Sequence, residues 1–233
     1  MERGRAMMIS FKGVHFEKAL ILACVRWYVA YPLSYRQLEE MMEERGISVD
    51  HSTIHRWVLK YSPLLEAVFH RRKRPVSLSW RLDETYIRVK GQWKDLYRAV
   101  DKSGQTIDFL LTEQRDERAA LRFLTKAIRR HHVPYVITID RSRANAAAIT
   151  TYNAEHGTMI EVRQVRYLNN IVEQDHRAIK RVVRPMLGFK SVEAAQRTLA
   201  GIELMHMLKK GQMVMREGAQ GQTLAQLFYA LAA

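Results

Sequence analysis

Tyr135-Val-Ile-Thr-Ile-Asp140 is a short apolar run that opens after Pro134 and closes on an acid. Its β-branched content over Val136–Ile139 reads as a buried strand. Upstream, residues 116 to 131 place Ala119, Leu121, Phe123, Leu124 and Ile128 at near-helical spacing, which predicts a helix. A strand that follows a helix suggests a parallel addition to a sheet. Earlier still the period shortens. Leu82, Thr85, Ile87 and Val89, then Leu96, Tyr97, Ala99 and Val100, then Ile107, Phe109, Leu110 and Leu111 mark three strands. Gly91 and Gly104 separate them, and two tight connections in a row imply an antiparallel meander.

Three antiparallel strands, a helix, a strand and further helical segments make the expected fold class α/β, an RNase H-like domain with a mixed sheet. An all-α segment precedes it. Residues 14 to 30 carry Phe16, Ala19, Leu20, Ala23 and Trp27 at near-helical spacing before Pro32. Ser34 can cap a second helix with Gln37 three positions on, and Leu38, Met41 and Met42 form its stripe until Gly46. Ile47 to Asp50 form the turn, and Ser52 can start a third helix, Thr53 to Tyr61, with Ile54, Trp57 and Val58 inward. Two short helices joined by a glycine-containing turn read as a helix-turn-helix. The outward set, His51, Thr53, His55, Arg56 and Lys60, can then reach base edges or phosphates. The expected domains are 1–69 helical, 70–76 a basic linker, 77–211 the α/β domain and 212–233 a tail.

Composition narrows the partner. Lys and Arg number 38 against 24 Asp and Glu, a formal net charge of +14, and such a field attracts polyanions. Cys24 is the single cysteine, so one chain can build neither a disulfide framework nor a thiolate zinc site, which fits a reducing cytoplasm. The apolar run from Ala19 to Val25 stops at Arg26, well short of the roughly 20 residues that span a bilayer. No membrane partner is expected.

The acids carry the chemistry. Asp83 lies inside the first strand, where an unpaired carboxylate is costly to bury unless it is solvated, hydrogen-bonded or metal-bound. Asp140 ends the strand Val136–Ile139, the edge at which open α/β sheets place ligands. Glu173 follows Asn169-Asn170, so that Asn170 reads as an N-cap and Glu173 as the third residue of a helix from Ile171 to Met186. Alone, each acid fits an ordinary role as an edge-strand polar residue, a loop cap or a capping-box carboxylate. Together, on elements that this topology brings to one edge, they are hard oxygen donors suited to Mg²⁺ or Mn²⁺. On the helix of Glu173, His176 or Arg177, Lys180 and Arg184 recur at three- and four-residue spacing and can bind flanking phosphates. Val172, Ile179, Val183 and Met186 form the opposite apolar stripe.

Trp80-Arg-Leu-Asp-Glu-Thr-Tyr86, Trp93 with Leu96-Tyr-Arg-Ala-Val-Asp101, Tyr167-Leu-Asn-Asn-Ile-Val-Glu-Gln-Asp-His176 and Leu187-Gly-Phe-Lys-Ser191 resemble the DDE transposases of bacterial and archaeal insertion sequences, in particular the insertion-sequence-six family. The likeness runs from about Phe11 through Gly211 and includes Ser34-Tyr-Arg-Gln-Leu38, Asp50-His-Ser-Thr-Ile-His-Arg-Trp57 and Gly201-Ile-Glu-Leu-Met205. It implies that Asp83, Asp140 and Glu173 are the catalytic triad, with Lys180 the basic residue that follows the glutamate. It also implies cutting of 3′ element ends and their joining to target DNA. Arg141 and Asn145 depart from the family pattern, in which a Lys and a downstream Tyr follow the second aspartate.

The expected cofactor is a pair of Mg²⁺ ions, with Mn²⁺ able to replace them. The expected partner is double-stranded DNA, both terminal inverted repeats and target, acted on by a homodimer or higher oligomer at the nucleoid. A helix-turn-helix protein without catalysis is the alternative, and a nuclease acting on RNA–DNA hybrids is a third. Tyr86 and Tyr167 read as packing or phosphate-positioning groups.

Overall fold

The computed structural model describes residues 9–215 and 221–233. Its contacts divide the chain into two compact units.

The first unit holds the described residues up to Arg74, the short 3₁₀ turn Arg184–Met186 and the residues from Gln196 onward. It begins with α1 (Lys18–Ala30), α2 (Tyr35–Glu43) and α3 (His51–His70). The Ser34 hydroxyl accepts from the Gln37 backbone N–H, and the Gln37 side chain accepts from the Ser34 N–H, so two orphan donors of α2 are satisfied reciprocally. Gly46, at φ +70°, turns the chain out of α2, and the Ile47 N–H closes back on the Met42 carbonyl at 3.0 Å.

The third helix departs from expectation at both ends. Asp50, not Ser52, caps it, because the Asp50 carboxylate accepts from the Ser52 N–H at 2.8 Å. It also runs through Pro63 to His70 instead of stopping at Tyr61. Proline removes the bond to the carbonyl four residues back, Leu59. The Arg197 guanidinium, on α7 (Val192–Lys209), donates to that carbonyl at 3.4 Å.

Helix α7 packs closely on this helical set. A Cβ at Gly201 would come within 2.6 Å of both the Ser62 hydroxyl and Val29. The basic run expected as a linker is pinned over part of its length: Arg74 N–H donates to the Gln212 carbonyl at 2.8 Å and Val214 N–H to that of Arg72 at 2.7 Å. By contacts, then, residues 196–215 and the tail helix α8 (Leu224–Tyr229) belong with the N-terminal helices rather than with the α/β domain expected to reach 211. The cause is the apolar face of α7, where Leu199, Ile202, Met205 and Leu208 are buried.

The second unit, Pro75–Val183 with Leu187–Ala195, is built on a five-stranded sheet in the order β3-β2-β1-β4-β5. Strands β1 (Ser79–Val89), β2 (Gln92–Asp101) and β3 (Thr106–Thr112) form the antiparallel meander. The β1–β2 turn is Lys90-Gly91, both at positive φ, as a two-residue hairpin of this hand requires. Strand β4 (Val136–Ile139) adds in parallel beside β1, and β5 (Glu161–Gln164) in parallel beside β4. This is the expected RNase H-like arrangement.

One sheet face, with Trp80, Leu82, Tyr97 and Ala99, packs against Phe123, Leu124 and Ala127 of α4 (Glu117–His131) and Ala148 and Ile149 of α5 (Arg143–His156). The opposite face receives α6 (Arg166–Val183) through Val172 and Ile179. Helix α6 starts five residues before the expected Ile171, so Asn170 is not its cap and Glu173 lies two turns inside it. Asn169 is buried, and its amide donates to the Leu82 carbonyl at 3.2 Å. No helix among the described residues is long and apolar enough to cross a membrane.

Candidate active site

Strand alternation sets Arg81, Asp83 and Thr85 on the α6 face of β1 and Leu82, Glu84 and Tyr86 on the other. In the parallel pair, Ser79 faces Val136, Trp80 faces Ile137 and Arg81 faces Thr138, a constant offset of 57 residues. The same 57 residues separate Asp83 from Asp140. Register therefore sets the two aspartates level on adjacent strands, at the point where β4 ends and β1 continues.

Asp83 is partly buried and draws its surroundings from three elements. Burial pushes its carboxyl up to about 7, assisted by the negative charges of Glu84, Asp140 and Glu173 and opposed by the Glu84 backbone N–H. Asp140 and Glu173 thus both lie close enough to act on Asp83. The oxygens of the three acids do not all come within 4.8 Å of one another. Among the described residues the group that does so is Glu39, Asp50 and His51, in the first unit.

Helix α6 is fixed over Asp83 by polar contacts. Arg98, the cross-strand partner of Asp83, is fully buried and donates to Asp175 of α6 at 2.7 Å. His176 Nδ1 lies 3.7 Å from Asp83 Oδ2, and burial, with the Arg98 and Lys180 charges, depresses its pKa to about 3. It is a buried neutral imidazole, so of the expected alternatives only Arg177 lies exposed beyond Glu173. Glu173 is itself exposed and Lys180 half-buried.

Arg184 does not continue this row. Helix α6 ends at Val183, and Arg184 opens the 3₁₀ turn before Pro185, where the helical period is lost. For the same reason Met186 leaves the apolar stripe and is only half-buried.

Asp140 Oδ1 accepts from the Ser142 N–H at 2.8 Å, and its other oxygen lies 3.6 Å from Arg115. That guanidinium also reaches Glu84 at 3.1 Å. Glu84 is almost fully buried, and burial raises its pKa while Arg115 and Asn145 oppose the shift. Sequence reasoning missed Glu84, Arg115 and Arg98. A second acid directly beside Asp83 within the strand was the available signal for the first. Arg115 lies in a loop with no pattern to mark it. Tyr86 and Tyr167 are exposed, so neither serves packing.

In the first unit Arg56 and Lys60 are exposed, while His51, Thr53 and His55 are half-buried. His51 Nδ1 lies 3.0 Å from Glu39 and 3.3 Å from Asp50. Thr53 accepts from Arg56 at 2.7 Å, and His55 meets the Tyr35 ring edge-on.

Residues 77–212 match a family model described as a DDE domain. The transposase for insertion sequence-like element IS431mec of Staphylococcus aureus is 37% identical over 201 residues, 86% of this chain and 88% of its own. The chain belongs to the insertion-sequence-six family of DDE transposases. The transposase for insertion sequence element IS257 in transposon Tn4003, also from Staphylococcus aureus, matches this transposase with the same identity and coverage. The HTLV-2 integrase catalytic core domain in complex with magnesium is similar to it at a TM-score of 0.45 and 14% identity, over 57% of this chain and 86% of that one. A DDE transposase is a DNA-cleaving and strand-transferring enzyme.

Proposed function

We propose that this transposase binds the terminal inverted repeats of its element, cuts their 3′ ends and joins them to target DNA, using Asp83, Asp140 and Glu173 to hold two divalent ions. The observation that carries the reading is an acid cluster short of positive charge. Asp83 is raised to about 7 amid three other carboxylates, and Arg115 is the cation that touches both Glu84 and Asp140. Carboxylate oxygens are the donors that Mg²⁺, or Mn²⁺ in its place, prefers. Acids spaced wider than one ion's shell would suit a pair of ions rather than a single one. When bound, such ions activate a water or a DNA 3′-hydroxyl and stabilise the leaving 3′ oxygen, so cutting and joining differ only in nucleophile.

The chain's own groups do the remaining work. The Ser142 N–H orients Asp140, and the Arg98–Asp175 pair seats α6, which carries Glu173, over β1. Lys180 and Arg177 place positive charge beside Glu173, where they hold phosphates flanking the scissile bond. Helices α2 and α3 serve as the helix-turn-helix, with Arg56 and Lys60 foremost and His51, Thr53 and His55 behind them; Arg184 adds a further phosphate contact. Two ends must be held together, so the active form is a dimer or larger, acting on DNA at the nucleoid.

Incubating the full chain with an oligonucleotide that carries the terminal repeat should give Mg²⁺-dependent joined product. Asp140→Asn should give none. Joining that persists in chelator, or in Asp140→Asn, overturns the reading. The double substitution His55→Ala with Arg56→Ala should remove preference for the repeat over unrelated duplex while weaker general binding remains; unchanged selectivity would place end recognition elsewhere.

A further inference from the structure

We propose that the exposed tip of the β1–β2 hairpin is a platform for unpaired nucleotides of a DNA strand, with the Trp93 indole as its stacking face and Arg88, Lys90 and Lys190 as its phosphate contacts. Its place in the reaction rests on the reading of Asp83, Asp140 and Glu173 as the DNA-cutting site. The strand binding itself does not.

Trp93 is 65% exposed, although the second unit has a core that accommodates Trp80 at 1%. Register pairs Trp93 with Arg88, so the two share one face, and Tyr86, two residues along β1, continues that face at 52% exposure. Among the described residues no ring stacks on Trp93 and no cation covers it. The stretch Tyr86–Lys94 and the segment Leu187–Lys190 together contain four cations and no acid. None of Arg88, Lys90 and Lys190 forms an ion pair among the described residues. An exposed aromatic face beside cations that form no ion pair matches a polyanion that carries flat bases.

The tip is also held rigid. On the edge of β1 away from β2, the Phe189 N–H donates to the Arg88 carbonyl at 2.9 Å and the Lys90 N–H to the Phe189 carbonyl at 2.7 Å. Gly188 permits this approach: a Cβ there would lie 3.1 Å from the Arg88 oxygen, and its φ of +104° disfavours any side chain. With β1 hydrogen-bonded on both of its edges at the tip, the strand that pairs with Trp93 is fixed in place, which lowers the ordering cost at the moment of binding.

Unpaired nucleotides, rather than duplex, fit this surface. Within a duplex the faces of the bases are covered by their neighbours, and only a base taken out of the stack offers its face to a side chain. Arg88, and with it Trp93, lies five residues along β1 from Asp83. That is about 17 Å at roughly 3.3 Å per residue, or about five base steps of duplex rise. Alternation puts Trp93 on the sheet face opposite the Asp83 side chain, so the opened DNA end that reaches the platform from the acids passes across the hairpin end of the sheet rather than along one face.

The test uses the full chain with a labelled ten-nucleotide oligothymidylate and with terminal-repeat duplexes whose last three pairs are matched or unpaired. Trp93→Ala should bind oligothymidylate about 10-fold more weakly, while Trp93→Phe keeps most of the affinity and matched internal duplex changes less than about 2-fold. Arg88→Gln should instead lower the salt dependence of oligothymidylate binding, by roughly one counterion. Joining by Trp93→Ala should be slow with matched ends and recover with unpaired ones. Wild-type affinity for oligothymidylate in Trp93→Ala, or no binding by the wild type, overturns the platform. Trp93-dependent oligothymidylate binding by a chain that joins no DNA would uphold the platform and sink the transposase mechanism.

Discussion

Two buried aspartates in the second unit meet opposite fates. Asp108 on β3 is fully buried, and Lys126 and Arg130 of α4 reach its carboxylate at 2.8 and 3.2 Å. Burial alone would raise its pKa, but the two cations more than compensate, and the net shift is downward. Asp83 on β1 is less buried, yet its neighbours are Glu84, Asp140 and Glu173, and its pKa rises to about 7. The chain neutralises one acid from its own residues and leaves the other short of positive charge. That contrast separates a structural ion cluster from the site proposed to receive cations.

The widest separation should appear in activity. Asp83→Asn should reduce Mg²⁺-dependent joining on the order of 10³-fold while raising the melting temperature of the metal-free protein at pH 8. Loss of both activity and stability would mean that Asp83 is structural, like Asp108.

The pH dependence of the two acids should have opposite signs. Between about pH 4 and 7, folded Asp83 keeps a proton that the unfolded chain has lost, so metal-free stability should fall as pH rises through that window, by up to about 4 kcal/mol. Asp108, with its depressed pKa, adds stability above the ordinary carboxylate range, and that stability is lost on acidification. Denaturant titrations across pH of wild type and Asp83→Asn, with and without Mg²⁺, measure this, and a slope that Mg²⁺ leaves unchanged would break the comparison.

Asp108→Asn should cost about 3 kcal/mol, because it leaves two partly buried cations facing a neutral amide. The folded fraction should still join DNA. Smallest of all, Arg115→Gln should cost metal-free protein about 1 kcal/mol, since Arg115 is only partly buried and screened by solvent, and Mg²⁺ should restore most of it. A cost as large as that of Asp108→Asn would mean that Arg115 already compensates the acids.

Legibility followed the reach of the interactions involved. The three meander strands, α4 and β4 could be read because their apolar periods are local. Helix α5, with its alanines and threonines, and β5, with Val162 as its one apolar residue, have weak periods and were not read. Asn169-Asn170 looked like a helix start because asparagine caps helices. In the folded chain Asn169 finds its partner on β1, 87 residues away, and the helix passes through it. From the sequence the third helix reads only to Tyr61, yet it passes through Pro63, and a guanidinium 138 residues from Leu59 serves the carbonyl that proline frees.

By itself, then, the sequence determined the fold class and the family and singled out the three acids as candidates, because composition, local period and motif are properties of neighbouring residues. Only the tertiary structure decided that a common offset of 57 sets Asp83 level with Asp140, that His176 and Arg98 are buried beneath α6, and that Arg115 joins Glu84 to Asp140. Those outcomes depend on strand register and helix docking, which couple residues far apart in the chain and leave no periodic trace in it.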